Sequence, residues 1–184
     1  MTLGYQKDLV SSWFERRNEN AESTFDPFIY AWISLNAALS ARYGRLGDRA
    51  KVKRFAEELQ GHWADWLDTD AELRTAAQAL AEWSPIYADP PWPDGRRDET
   101  NVSADDAKSV MLGIYAVRSN LFHGAKQFDS QRDHELVSAA TQLVERILID
   151  SGLYEMAKDP HRDLTEPLKQ PDKSGPPECD GARA

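Results

Sequence analysis

The segment Ala116-Val117-Arg118-Ser119-Asn120-Leu121-Phe122-His123-Gly124-Ala125-Lys126 gathers arginine, serine, asparagine, histidine and lysine behind an apolar helical stripe. Histidine is the side chain whose free pKa best suits proton transfer near neutral pH. Arginine keeps its proton and presents a fork of donors matched to phosphate oxygens. One group to move a proton and one to stabilise charge is a minimal set for cleaving a phosphodiester without a metal. The same residues also fit a solvated helix end, where His123 and Lys126 offset the C-terminal dipole.

Spacing constrains the pair. Arg118 and His123 are five residues apart, about 140° around a straight helix. They share a face only if the helix ends or distorts between them, and Gly124 offers that ending. Ser119, Asn120 and Lys126 stand beside the pair as supporting or RNA-binding candidates. Asn36 joins them from an earlier apolar stripe, where a polar side chain needs a partner or carries a desolvation cost. A hydrogen bond to a neighbouring helix would satisfy Asn36 equally well.

Other polar residues read as structural. His62 lies by Trp63 and Trp66, His134 is early in the last helix, and His161 is near the C-terminus. Trp13, Trp32, Trp63, Trp66 and Trp83 read as core. Arg16, Arg17, Lys51, Lys53 and Arg54 are candidates for a basic rim, whereas Arg96 and Arg97 sit among acidic residues. No Walker loop, HExxH, GxSxG or paired CxxC occurs, so neither a metal site nor a cofactor is expected.

The elements that must position these groups are helices. Tyr5, Leu9 and Trp13 form a stripe over residues 5–18. Asp26-Pro27 reads as a cap and first helical position, followed by Phe28, Trp32, Leu35 and Leu39 as far as Gly44. Val52, Phe55, Leu59, Trp63 and Trp66 mark a third helix. Thr69 and Glu72 suggest a capping box for a fourth. Residues 84–102 hold four prolines and no periodicity, which predicts a long loop. Ser103 is the expected cap of the helix carrying Val110, Ile114, Val117 and Leu121. Ser130 opens the last helix, with Leu136, Leu143, Ile147 and Leu148 inward. The expected fold is all-α: an up-and-down bundle of four to six helices over residues 1–155, then a disordered tail over 156–184.

Composition narrows the function classes. The chain has 184 residues, enough for one domain with a core. Its net charge of −9 argues against a non-specific DNA coat. The lone Cys179 cannot form an internal disulfide, and no apolar run is long enough to span a bilayer. A cytoplasmic protein with no membrane partner is expected.

"VRSNLFHGAK", together with "FDPFIYAWISLNAALSARYG", resembles the HEPN domain family. The resemblance covers roughly residues 5–152 and rests on Arg118-x4-His123 in an RxNLFHGxK context. It implies a short all-α bundle that homodimerises to build one cleft, with RNA as substrate and no metal. The RNA 2′-OH would attack the adjacent phosphate, leaving a 2′,3′-cyclic phosphate. His123 would handle the proton and Arg118 the phosphate. Such proteins act as toxins or defence effectors, so an antitoxin or regulatory protein is an implied partner. Ser119 stands where catalytic members often carry Asn, Asp or His. A catalytically silent adaptor that binds RNA, nucleotide or a protein is the alternative.

Overall fold

The structure, a computed structural model, describes residues 7, 10, 11, 14, 25–87, 98–122, 130–159 and 161–170. Lys7, Val10, Ser11 and Phe14 are helical. Tyr5, Leu9 and Trp13, which defined the expected first stripe, lie outside the described residues. Six helices follow among the described residues. These are α1 (Phe25–Tyr43), α2 (Asp48–Thr69), α3 (Ala71–Glu82), α4 (Ala107–Phe122), α5 (Gln131–Asp150) and α6 (Leu153–Lys158). A two-stranded antiparallel ribbon, β1 (Ile86–Tyr87) and β2 (Glu99–Thr100), lies within the expected loop; residues 88–97 lie outside the described residues. The fold is all-α. Helix α5 packs between α1 and α3, and α4 packs against α2.

Burial explains the assembly. Phe28, Trp32, Phe55, Trp63 and Trp66 are almost fully buried, as are the inward leucines of α2, α3 and α5. Their 3.6-residue recurrence gives each helix one apolar stripe, and each stripe must be covered by another helix. Trp63 satisfies its indole by donating Nε1–H to the Ala104 carbonyl at 2.8 Å.

Several boundaries differ from the sequence expectation. Asp26 is not a cap: α1 begins at Phe25, and Asp26 and Pro27 lie in its first turn, where proline is tolerated. Thr69 is not the cap of α3. Helix α2 runs through Thr69, whose hydroxyl donates to the Asp65 carbonyl at 2.9 Å. Asp70 is the extended residue instead, and its Oδ1 accepts from the amides of Glu72 (2.8 Å) and Leu73 (3.1 Å). Ser103 likewise yields to Asp106, which accepts from the amides of Lys108 and Ser109. Both pairs of residues are good cappers; which one serves depends on where the preceding segment stops. Ser130 does cap α5, accepting from the Asp133 amide. At the other end of α1, Gly44 takes φ 64° and its amide returns to the Ser40 carbonyl, closing the helix in the left-handed region.

The expected tail is partly folded. Residues 161–170 form a strap laid back on the bundle, with Leu164 and Leu168 buried. Arg42 Nη1 donates to the carbonyls of Leu164 (2.8 Å) and Glu166 (2.6 Å), while its Nε and Nη2 hold Glu58 of α2. Lys7 Nζ donates to the carbonyls of Asp159 and Arg162. Composition missed this because the strap is held chiefly by its backbone carbonyls, not by apolar periodicity. Residues 171–184 lie outside the described residues.

Gly113 sets how closely α4 meets Leu80 of α3 and Val102, just after the ribbon. A Cβ built there would sit 2.8 Å from Val102 Cγ2 and 3.2 Å from Leu80 Cδ2. Gly113→Val should therefore lower unfolding free energy by roughly 3 kcal/mol through overpacking. Gly113→Ala should cost less, because alanine recovers about 1 kcal/mol of helix propensity. Urea denaturation of the two variants measures both; equal stability of Gly113→Val and wild type would contradict the close packing.

Candidate functional site

Helix α4 carries the site because its apolar face is spent on the core. Val110, Ile114 and Val117 are fully buried, and Leu121 is only partly so. Arg118 points toward α1 and α2. Its guanidinium carbon lies 4.8 Å from the Phe122 ring centroid, 5.8 Å from Trp32 and 6.0 Å from Tyr115. Trp32 and Tyr115 also meet each other at 6.1 Å. A delocalised, weakly hydrated cation is well suited to such a box of rings.

The box holds the cation without using its donors. The Arg118 guanidinium makes no hydrogen bond among the described residues, and its Nε is buried without a partner. Asp48 Oδ2, at the start of α2, is 3.7 Å from Arg118 Nη2, beyond hydrogen-bond length. That carboxylate is shared with Lys51 Nζ at 3.6 Å. The Arg118 side chain keeps 24% of its surface exposed. It is an arginine positioned from within and still able to bind an oxyanion.

The expected companions separate. His123 and Lys126 lie outside the described residues. Phe122 is the last described residue before them and is half exposed. Asn120 is not brought to Arg118. Two residues along a helix is a turn of about 160° the short way round, so it faces the other side. It is buried there and donates Nδ2–H to the Tyr87 carbonyl at 2.7 Å, pinning β1 to α4. Ser119 is half-buried, about 100° from Arg118 around the helix. Asn36 is half-buried one turn beyond Trp32, and no hydrogen bond joins it to Arg118.

The rim and the other histidines resolve as follows. Lys51 is buried and donates to Ser40 Oγ at 2.9 Å, so it is a strut between α1 and α2 and not part of a basic rim. Lys53 and Arg54 are exposed, and Arg54 pairs with Glu57 at 3.3 Å. Arg16, Arg17, Arg96 and Arg97 lie outside the described residues. His62 stacks on Trp66, and His134 stacks on Phe25 at 5.2 Å. His161 is exposed. Among the described residues, no group of three His, Cys, Asp or Glu is arranged to hold a metal ion, and no helix is long and apolar enough to cross a membrane.

A second polar cluster was not visible in the sequence. Asp70, Glu72, Arg146, Asp150 and Lys169 line a cleft of about 430 Å³ beside Trp66. Arg146 Nε donates to Asp70 Oδ2 at 2.5 Å, and the same guanidinium lies 3.5 Å from both Glu72 and Asp150. Burial, then the bond with Asp70, push the Asp150 carboxyl up to about 6. Burial also acts on Asp70, but the Leu73 amide, Asp150 and Arg146 outweigh it and hold Asp70 below the usual carboxylate range. The i,i+4 spacing of Arg146 and Asp150 is legible in the sequence; Asp70 lies 76 residues from Arg146 and meets it only through the fold. No protein family, curated protein or solved structure matches this chain.

Proposed function

We propose that this chain is a metal-independent endoribonuclease of the HEPN type, acting as a cytoplasmic toxin or defence effector. Arg118 holds the scissile phosphate and His123 transfers a proton as the 2′-OH attacks; the P–O5′ bond breaks, giving a 2′,3′-cyclic phosphate and a 5′-OH. A homodimer brings two copies of the splayed pair to one cleft across a two-fold axis. The observation that supports this reading is the Arg118 guanidinium, set among three rings with no N–H donor spent on an acceptor among the described residues. Such a group costs little reorganisation when a phosphate arrives.

A second reading is an RNA-, nucleotide- or protein-binding adaptor without cleavage. It is favoured by Asp48, whose carboxylate competes with a phosphate 3.7 Å from Arg118. The test is incubation of purified wild type and His123→Ala with total RNA in EDTA. Degradation by wild type alone, with a deoxy-substituted analogue left intact, is the expected result. Cleavage that requires a divalent ion sinks the mechanism. Tight RNA binding without cleavage selects the adaptor.

A further inference from the structure

We propose that Asp70 and Asp150 form a single-proton clasp. It closes the seam between the α2–α3 turn, the end of α5 and the C-terminal strap in mild acid, and loosens that seam when the proton leaves. The geometry is a shortage of donors. Asp150 Oδ2 is buried and faces no donor. Arg146, from α5, is already divided among Asp70, Glu72 and Asp150. Asp70 Oδ1 is committed to the first turn of α3. Among the described residues, the remaining cation on the cleft is Lys169, from the strap. Three carboxylates thus face two cations. A buried carboxylate oxygen with no donor is costly, and a proton shared between the two aspartates removes that cost.

The raised Asp150 carboxyl agrees with this arrangement. A group whose pKa is raised in the folded state contributes stability that is fully present below its unfolded value. That contribution is lost as pH rises through the folded value, here from about 4 through about 6. The clasp is therefore closed at pH 5 and open at pH 7.5. Asp70 works in the opposite direction and only in stronger acid, because its carboxyl is held low.

The strap carries its own reporter. The Lys169 amide donates to the Ser151 carbonyl at 2.9 Å, directly after Asp150. Hydrogen exchange of that amide in the full chain, corrected for its intrinsic pH dependence, should show protection falling about tenfold between pH 5 and 7.5. In Asp150→Asn the carboxamide donates to Asp70 at every pH, so protection should stay high and flat. Carbon-13 titration of wild type should show one carboxyl with a midpoint near 6 that is missing in Asp150→Asn. Flat protection in wild type, or a wild-type Asp150 midpoint near the ordinary carboxylate value, overturns the clasp. Should Asp150→Asn fail to fold, the wild-type titration decides alone.

Discussion

Arg118→Ala is expected to slow RNA cleavage by about two to three orders of magnitude, the usual loss when one preorganised charge-stabilising group is removed. His123→Ala should lose at least about 100-fold, the lower range for a general acid or base. The fold should survive both changes. Arg118 is partly exposed, makes no side-chain hydrogen bond among the described residues, and meets Asp48 only at 3.7 Å. Its ring contacts contribute on the order of 1 kcal/mol to stability. Arg118→Lys should not restore activity, because a point charge lacks the planar fork that the rings hold in place. Single-turnover cleavage of an RNA oligonucleotide in EDTA, with circular dichroism on the same samples, separates lost chemistry from lost structure. Full activity in a folded Arg118→Ala protein would remove Arg118 from the mechanism.

Trp32→Ala should cost about 3–5 kcal/mol of unfolding free energy, the range for deleting a large buried aromatic. Trp32 is 2% exposed, contacts Phe28 and Tyr115, and walls the Arg118 guanidinium. The cavity would open where α1 supports α4, so the site should lose its shape before the chain loses its helices. Trp32→Phe keeps a ring and should cost clearly less. Urea denaturation gives the stabilities. In the surviving variants, cleavage rate should track how well Arg118 is held. A Trp32→Ala protein as stable as wild type would mean that the core does not depend on this residue.

Most helices could be read from the chain because a 3.6-residue stripe is a local property. Val110, Ile114 and Val117 specify one face of α4 whatever packs against it, and that face is buried. Caps are less legible, since Thr69 and Asp70 are adjacent residues that can both serve, Asp being the better capper. The choice fell to the length of α2. The strap over 161–170 was missed for a different reason: its partners are Arg42 and Lys7, more than 100 positions away, bonding to backbone carbonyls that any sequence possesses. Arg118 stands out as a candidate from its residue type and neighbourhood alone. Asn120 is close to Arg118 in sequence but not in space, because helical residues two apart face opposite sides.

By itself the sequence determined an all-α chain, its inward faces, and the Arg118–His123 spacing from which the nuclease proposal starts. Tertiary structure alone decided that Trp32, Tyr115 and Phe122 box the Arg118 guanidinium, that Asp48 stands beside it, and that Asp70 and Asp150 meet across Arg146. The physical reason is range. Hydrophobic periodicity and helix propensity act within a few turns of one segment, whereas desolvation and the pairing of charges depend on which distant segments the packed core brings into contact.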